Sequence, residues 1–355
     1  MSKFLKNCYA NLDAYVPGEQ PKDCEYIKLN TNESPFEPSE SVIKAVNSDE
    51  VKNLRLYSDP TASALKSKIS ELYGVNSENV YVANGSDDIL NFSFMAFSGE
   101  SKQAVFPEIS YGFYKVFANL YGIESEMIPL KEDFSIDYKD YLYKNKFIII
   151  ANPNAPTGLT LSVKEIEEIV KTNKNNVVLI DEAYVDFGGE SVVPLTKKYD
   201  NLLVSMTFSK SRCMAGARLG FAIGNKELIK DLELIKYSTN PYNINRLTLV
   251  AGVAALEEND YYMDRCKEII KNREYTEKEL KKLGFTLTDS KTNFVFAQCD
   301  FIDGEELYKR LKAKGILVRH FSLEKIKNYN RITIGTIEQM RALINAIKEI
   351  KEEVK

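Results

Sequence analysis

The sequence predicts an alternating α/β domain followed by a second, smaller domain. Three observations support this prediction: the length of the chain, a series of short apolar runs, and helical periodicity between those runs. A chain of 355 residues is long for a single hydrophobic core, so two domains are expected. Short apolar runs that end in polar or turn-forming residues are typical of buried parallel strands, which alternate with helices in α/β proteins.

Five apolar runs are the predicted strands of the first domain. They are NVYVANG (79–85), QAVFPE (103–108), KFIIIANP (146–153), NVVLIDEAY (176–184) and NLLVSMTFSK (201–210). Ligands of such sheets gather beyond the carboxyl ends of the strands. The residues that follow each run are therefore candidates for a functional site.

Helical periodicity fills the gaps between the runs. Apolar residues recur at spacings of three and four in residues 63–74 and 161–172, which is the pattern of an amphipathic helix. From about Asn243 the sequence has a long helical pattern through Lys282, and residues 336–355 end the chain with another amphipathic helix pattern. These later patterns predict the second domain.

We therefore divide the chain into three parts. Residues 1–40 form an N-terminal segment, residues 41–242 the first domain and residues 243–355 the second. Because no linker rich in Gly, Pro and Ser separates them, we expect the domains to share a tight junction.

Composition and charge argue against several classes of protein. The net charge of −4 gives no basic surface for nucleic acid, which would need one to displace counterions from phosphates. The sequence contains neither the apolar core of about 7 to 15 residues of a signal peptide nor the roughly 18 apolar residues of a membrane span. The five cysteines are widely spaced, without a CxxC pair, and fit a reducing compartment. We expect a cytoplasmic protein without a membrane, nucleic-acid or metal partner.

The chain has a single histidine, His320. Histidine-rich metal sites are therefore excluded, and a Ser/His/Asp or Cys/His system would have to use this one residue. His320 lies in LVRHFSLEK, where the pattern predicts the end of a strand, and we interpret it as structural or solvent-exposed. Catalysis must then depend on lysine, carboxylates, tyrosines or a cofactor.

Polar segments lie at the ends of four of the predicted strands. NGSDD (84–88) either binds a phosphate at the start of a helix or is an ordinary helix cap. Asp181, in DEAY, ends a buried strand, so it needs a cationic partner, either a protein side chain or a ligand. NPNAPTG (152–158) is a turn-forming cluster. Lys210 lies between two hydroxyl residues in TFSKSRCMAGARLG (207–220).

The order of these segments resembles that of the fold-type I pyridoxal-phosphate enzymes. The pattern SKxxxxAGxRxG is met from Ser209 to Gly220. The resemblance covers essentially the full length and is strongest to the histidinol-phosphate aminotransferase family of class II aminotransferases. It rests on the segments LDAYVPGEQP, IKLNTNESPF, RLYSDP, NGSDD, PYNIN, TNF, GILVRHF and RITIGT. It implies a large domain with a mostly parallel seven-stranded sheet between helices and a smaller α/β domain. It also implies that residues 1–40 pack against the small domain and a partner subunit.

The resemblance implies roles for four residues around a pyridoxal 5'-phosphate cofactor. Lys210 would bind the cofactor aldehyde covalently and later carry a proton between the substrate α-carbon and the cofactor C4′ carbon. Asp181 would pair with the pyridine nitrogen and keep it protonated. Tyr184 would donate to the ring O3′ oxygen, and Tyr111 would stack on the ring face.

The cofactor phosphate would be held by backbone groups, two hydroxyls and one guanidinium. These groups belong to Gly85, Ser86, Asp87, Thr207, Ser209 and Arg218. Tyr57, in RLYSDP, resembles the tyrosine that family members lend across a dimer interface to the same phosphate. The resemblance therefore implies a homodimer.

Substrate contacts are implied for three residues. Arg331, in RITIGT, resembles the arginine that holds the α-carboxylate of amino-acid substrates. Arg319, in LVRHF, resembles the arginine directed at the distal phosphate of the substrate, with Tyr15 nearby. For each arginine the alternative is a surface ion pair.

The chain departs from the family pattern before Pro-Thr-Gly. Family members commonly have Asn at this position, where its amide contacts the cofactor O3′ oxygen, but this chain has Ala155, preceded by Asn154. Asn154 or water would replace the contact, or Tyr184 would act alone.

Three functions agree with these motifs. The first is transamination of L-histidinol phosphate with 2-oxoglutarate in histidine biosynthesis. The second is decarboxylation of threonine phosphate, whose enzymes usually carry His-Gly-Gly where this chain has AYVPGEQP. An aromatic or general amino-acid aminotransferase is a variant of the first. The third, a non-catalytic protein, is disfavoured because Lys210, Asp181 and Arg218 are all present.

Overall fold

The computed structural model describes Leu5, Tyr9, Leu12, residues 14–100 and residues 103–354. Much of the N-terminal segment before residue 14, including Cys8, lies outside the described residues.

The described residues form strands and α-helices that alternate in the first part of the chain. The strands are β1 (Ile27–Lys28), β2 (Val80–Ala83), β3 (Gln103–Pro107), β4 (Glu124–Ile128), β5 (Phe147–Ala151), β6 (Val178–Asp181), β7 (Leu202–Thr207), β8 (Gly220–Gly224), β9 (Phe285–Leu287), β10 (Phe294–Cys299), β11 (Ile316–Leu317), β12 (Arg319–His320) and β13 (Asn330–Thr333). The helices are α1 (Glu40–Val46), α2 (Ser63–Tyr73), α3 (Ser86–Phe97), α4 (Phe113–Tyr121), α5 (Val163–Thr172), α6 (Lys226–Thr239), α7 (Arg246–Glu257), α8 (Asn259–Lys282), α9 (Gly304–Ala313) and α10 (Ile337–Glu353). All five predicted strands are present, and so are the helices predicted in residues 63–74, 161–172 and 336–355.

A seven-stranded sheet organises the first part of the chain, in the order β2-β8-β7-β6-β5-β3-β4. It is mostly parallel, as the resemblance implied, but β8 pairs antiparallel with both β2 and β7. The chain returns from β7 through residues 208–219 without the crossover helix that a parallel pair requires. β8 and β4 were not predicted as strands, and β4 lacks an apolar run because it is a partly exposed edge strand.

The sheet lies between two layers of helices. On β5, Ile148 and Ile150 face one core, whereas Phe147 and Ile149 face the other, as expected from the alternation of side chains along a strand. Helices α1, α2, α5 and α7 contribute to the first core, and α3, α4 and α6 to the second. The loops at the carboxyl ends of the strands remain free to form a site.

The end of the chain forms a smaller sheet, in the order β12-β13-β10-β9, with antiparallel neighbours. Near the N-terminus, β1 pairs with β11, and Leu29 enters the same core as α9 and α10. Helix α7 still packs in the core of the first sheet, and the change of core falls within α8, between Tyr262 and Cys266. The division at residues 40 and 242 remains a prediction. Among the described residues, no helix has the length and apolar character needed to cross a membrane.

Candidate active site

Two cavities meet at the carboxyl ends of the central strands. The first has a volume of about 320 Å³ and lies between the start of α3, the end of β6 and the loop after β7. The second, of about 410 Å³, extends toward the N-terminal segment and the small sheet. The residues that line both cavities are Thr31, Tyr111, Ala155, Tyr184 and Lys210.

The first cavity contains the uncapped start of α3. Gly85 precedes the helix with φ +81°, and no described side chain caps it. A Cβ atom on Gly85 would lie 2.8 Å from Nη2 of Arg218, and one on Gly220 would lie 2.6 Å from the Ser86 nitrogen. Both glycines therefore allow β8 and Arg218 to approach the helix start. The exposed amides and the helix dipole favour an anion at this point.

Arg218 is already oriented in this cavity. Its Nη2 donates to Oδ2 of Asp87 at 2.9 Å, and the Tyr111 hydroxyl donates to Oδ1 of the same carboxylate at 2.8 Å. Thr207 and Ser209 line the same end of the cavity, and the Ser209 amide donates to the Thr207 hydroxyl at 3.1 Å. The predicted phosphate ligands are thus brought together. The sequence predicted a backbone role for Asp87, whereas its side chain also contacts Arg218 and Tyr111.

Asp181 lies at the opposite side of the first cavity, at the end of β6. Its side chain is buried, and Oδ2 accepts from the Tyr114 hydroxyl at 3.0 Å while Oδ1 accepts from the Ala183 amide at 3.3 Å. Burial raises the pKa of Asp181 to about 6. No described cationic side chain forms an ion pair with Asp181, so a protein partner does not satisfy its charge. The carboxylate remains available to a cationic group of a ligand.

Lys210 lies where the two cavities meet. Its amine donates to the Thr31 carbonyl oxygen at 3.2 Å and lies 5.9 Å from the centre of the Tyr184 ring. Burial, together with the positive charge of Arg331, lowers the pKa of Lys210 to about 8. A lowered pKa increases the fraction of neutral amine near neutral pH, and the neutral amine is the nucleophile.

The hydroxyl of Tyr184 accepts from the Asn32 side-chain amide at 2.9 Å. Burial raises the pKa of Tyr184, so the hydroxyl stays protonated and can donate its own proton to a ligand. Asn32 was not predicted as a site residue. The available signal was the segment IKLNTNESPF, which supported the resemblance but in which no individual residue was assigned.

Asn154 does not line either cavity. Its carbonyl oxygen accepts from the Ser110 hydroxyl at 2.7 Å, and its amide nitrogen donates to the Ile109 carbonyl and the Thr157 hydroxyl at 3.0 and 3.1 Å. Ala155 lines both cavities instead. The expectation that Asn154 replaces the missing family contact therefore finds no support, because its side chain is committed to the loop.

Arg319 and Arg331 face each other across β12 and β13 in the second cavity. Arg319 donates to the carbonyl oxygens of Val16 and Pro17 at 3.1 and 3.3 Å, and Arg331 donates to the Asn30 carbonyl at 3.1 Å. Neither arginine pairs with a carboxylate among the described residues, and Nε of Arg331 is buried without a described partner. Within the described part of the chain, a surface ion pair is therefore not observed for either arginine.

Three further residues from the sequence analysis have different surroundings. Tyr15 lines the second cavity and stacks on Phe113 at a centroid distance of 4.3 Å. Tyr57 is 78% exposed, stacks on Tyr242 at 4.5 Å and lines neither cavity. Nε2 of His320 donates to the Lys327 carbonyl oxygen at 2.7 Å, which agrees with a structural role.

The fold is that of an aminotransferase. Residues 25–347 match the family model described as "Aminotransferase class I and II", and the chain belongs to this family. The resemblance found in the motifs is also confirmed at the level of the subgroup. The chain is 52% identical over 351 residues to the histidinol-phosphate aminotransferase of Brachyspira hyodysenteriae, with 99% of each chain covered.

Solved structures give the same result for the fold. The histidinol-phosphate aminotransferase of Clostridium acetobutylicum superimposes with a TM-score of 0.85 at 26% identity, over 92% of this chain and 99% of the other. The enzyme of Sinorhizobium meliloti, solved in complex with pyridoxal-5'-phosphate, gives a TM-score of 0.89 at 21% identity, over 100% and 99% of the two chains. The second likeness establishes the fold alone.

Proposed function

We propose that this chain transfers the amino group of L-histidinol phosphate to 2-oxoglutarate in histidine biosynthesis, with pyridoxal 5'-phosphate as cofactor. The observation that carries the proposal is the pair of opposed arginines in the second cavity, Arg319 and Arg331. Like charges directly opposite each other on paired strands are destabilising. An anionic substrate group placed between them would offset their repulsion.

The first cavity fits the cofactor. The uncapped helix start, the two hydroxyls and Arg218 supply donors for a phosphate, and the buried carboxylate of Asp181 suits a protonated ring nitrogen. Tyr184 would donate to the ring hydroxyl oxygen, and Tyr111 would cover one ring face. When bound, pyridoxal phosphate supplies an electron-withdrawing ring that stabilises negative charge at the substrate α-carbon.

Lys210 performs two tasks in this reaction. Its neutral amine would hold the cofactor aldehyde as an imine, with loss of water. Once the substrate amine displaced it, the same amine would be free to take the proton from the substrate α-carbon as a base and to return it as an acid. Burial of Lys210 favours the neutral form that both tasks require.

The second cavity would hold the distal part of the substrate. The guanidinium of Arg319 can exchange its bonds to Val16 and Pro17 for bonds to phosphate oxygens, for which its planar fork is suited. Arg331, with an unpartnered buried Nε, would bind the α-carboxylate of 2-oxoglutarate and share the phosphate of the amine substrate. Tyr15 would close one side of the cavity.

We further propose a cytoplasmic homodimer. Tyr57 projects from the subunit, 78% exposed, and its ring is held by Tyr242. In the proposed dimer, its hydroxyl would reach the cofactor phosphate of a second copy, and its exposure supports this role. The division into residues 1–40, 41–242 and 243–355 belongs to the same proposal.

A substrate panel tests the proposed reaction. The holoenzyme is mixed rapidly with histidinol phosphate, histidinol, threonine phosphate or phenylalanine, and the cofactor absorbance is followed through one half-reaction. We expect histidinol phosphate to react with the highest specificity constant and to give the keto product. Release of carbon dioxide from threonine phosphate, or a higher specificity constant for phenylalanine, would overturn the substrate assignment.

A further inference from the structure

Tyr114 is a buried tyrosine whose hydroxyl contacts the Asp181 carboxylate. It lies in the first turn of α4, is 1% exposed, and donates to Oδ2 of Asp181 at 3.0 Å. Its backbone amide donates to the Tyr111 carbonyl at 3.1 Å, and the two rings meet edge to face at 5.8 Å. The loop before α4 therefore places Tyr111 in the first cavity, and the first turn of α4 places Tyr114 beside the carboxylate of Asp181.

Asp181 accepts two hydrogen bonds, and the one from the Tyr114 hydroxyl is the shorter, at 3.0 Å. The other, from the Ala183 amide, is 3.3 Å long and reaches the other carboxylate oxygen. A buried carboxylate loses its hydration, so each hydrogen bond to its charged form favours ionisation. With Oδ2 held from behind, the carboxylate plane is fixed and Oδ1 is left with a single weak donor.

The proton on the Tyr114 hydroxyl is secure. Burial and the neighbouring Asp181 charge raise the pKa of Tyr114 well above its usual value. The Tyr114 hydroxyl therefore stays protonated near neutral pH and can donate a hydrogen bond. Tyr114 was not predicted from the sequence, because an aromatic residue at helical spacing is usually part of the core.

We propose that Tyr114 is a positioning residue for transamination, whose hydroxyl orients the Asp181 carboxylate and keeps it ionised to hold a proton on the cofactor ring nitrogen. The proposal rests on the proposed function, since it requires pyridoxal phosphate in the first cavity. Tyr114 lines neither of the two cavities. It acts through the charge and the direction of Asp181.

The surroundings of Asp181 make this support necessary. Burial raises the pKa of Asp181, and the negative charge of Asp87, which lines the same cavity, raises it further. Both effects disfavour the ionised form of Asp181. The other titratable groups that face the cavity are Glu33, Tyr111, Tyr184, Lys210 and Arg218. None of them forms a described hydrogen bond to Asp181, so the Tyr114 hydroxyl and the Ala183 amide oppose these effects.

The test compares Tyr114→Phe with Tyr81→Phe. Both tyrosines are fully buried in the same core, but the Tyr81 hydroxyl has no described hydrogen-bond partner, so its removal is the matched control. Each holoenzyme is loaded with pyridoxal phosphate labelled with ¹⁵N in the ring, and the nitrogen chemical shift is followed against pH. The dissociation constant of the cofactor is measured on the same proteins.

We expect Tyr114→Phe to lose the ring proton at a lower pH than the wild type and to bind the cofactor on the order of tenfold more weakly, the range for one hydrogen bond to a charged group. Tyr81→Phe should match the wild type in both measurements. A ring nitrogen that titrates as in the wild type in Tyr114→Phe would overturn the proposal.

Asp181→Asn separates this proposal from the proposed function. If Asp181→Asn lowers ring protonation and Tyr114→Phe does not, only the role of Tyr114 is wrong. If neither variant changes it, the Asp181 assignment fails and the Tyr114 proposal fails with it. In the double variant, Tyr114→Phe should cause no further change in the nitrogen titration, because the hydroxyl acts through the carboxylate. An additive change would contradict the proposal.

Discussion

The two cavities that meet at Lys210 differ in how their charged side chains are satisfied. In the first cavity, Arg218 pairs with Asp87 at 2.9 Å and Asp181 accepts from Tyr114 at 3.0 Å. In the second, Arg319 and Arg331 donate only to backbone carbonyls within the described part of the chain. The first cavity is therefore organised before a ligand binds, whereas the second retains positive charge that an anion would neutralise.

This difference follows from how the cavities are assembled. The first is formed mainly by loops that follow strands of one sheet, whose positions the sheet fixes. The second combines the N-terminal segment, the loop of residues 108–112 before α4 and the β12–β13 pair, which are far apart in the chain. We expect changes in the first cavity to affect every substrate, and changes in the second to discriminate between substrates.

The largest effect is expected for Lys210→Ala. Loss of its amine removes both the covalent attachment and the proton carrier, so turnover should fall by at least about 10²- to 10⁴-fold, the usual contribution of a general acid–base group. Borohydride reduction of the wild-type holoenzyme followed by peptide mass spectrometry should find the cofactor on Lys210. Lys236, a buried lysine that pairs with Glu233 outside both cavities, is the control and should stay unlabelled. Label on any other lysine would reject the assignment.

A smaller but still large effect is expected for Asp181→Asn. The variant removes the charge that holds the ring nitrogen proton, and single-turnover rates should fall by roughly 10²- to 10³-fold, as for the loss of one preorganised electrostatic contact. Glu182→Gln is the matched control. Glu182 is the next buried carboxyl, but it is bonded to Ser191 and Val192 instead of lining the first cavity. Equal rates in both variants would count against the role of Asp181.

The pH dependence of folding tests the same residue without the cofactor. Because the pKa of Asp181 is raised from 3.8 to about 6, the folded chain binds this proton more tightly than the unfolded chain. The resulting stability is fully present below about pH 4 and is lost as the pH rises through about 6. Asp181→Asn lacks this loss, so its unfolding free energy relative to wild type should rise by roughly 2–3 kcal/mol between pH 4 and pH 7. Denaturant unfolding of both proteins at both pH values measures this difference in unfolding free energy. The same difference at pH 4 and pH 7 would contradict the raised pKa of Asp181.

The smallest effect is expected for Tyr57→Phe. If its hydroxyl reaches the cofactor phosphate of a partner subunit, its loss should weaken cofactor binding by about 0.5–1.5 kcal/mol, or up to about twice that for a charged acceptor. Equilibrium titration gives the affinity, and sedimentation should show an unchanged dimer. Tyr143→Phe, at a tyrosine that is also highly exposed, 73%, and lines neither cavity, is the control. A wild-type affinity in Tyr57→Phe would remove the proposed contact.

The sequence predicted most of the first cavity because its residues lie in contiguous motifs. NGSDD, DEAY and SKSRCMAGARLG each place a functional group at a fixed distance from a strand end, and the structure brings Ser86, Asp181 and Lys210 together. The fold was predictable for the same reason, since apolar runs and helical periodicity are local patterns. The edge strand β4 was not predicted, because its partly exposed residues do not form an apolar run.

Residues that act through side-chain partners could not be predicted in the same way. Tyr114 and Asn32 contact Asp181 and Tyr184 across 67 and 152 positions of the chain, and such contacts depend on tertiary packing. For Asn154, in contrast, the sequence suggested a contact that the structure does not support. Its position beside the missing family residue suggested a cofactor contact, but its side-chain amide forms hydrogen bonds to Ile109, Ser110 and Thr157 instead.

Arg319→Ala tests most directly whether the second cavity holds the phosphate of the substrate. The ratio of kcat/KM for histidinol phosphate to that for histidinol is measured in the wild type, in Arg319→Ala and in Lys325→Ala. Lys325 is the control because it is a cation beside the same cavity that already pairs with Glu108 at 2.7 Å. We predict that Arg319→Ala lowers transition-state binding of histidinol phosphate by roughly 2–5 kcal/mol and leaves histidinol nearly unchanged, while Lys325→Ala preserves the ratio. An equal loss on both amines in Arg319→Ala would contradict the phosphate site and favour a general amino-acid aminotransferase.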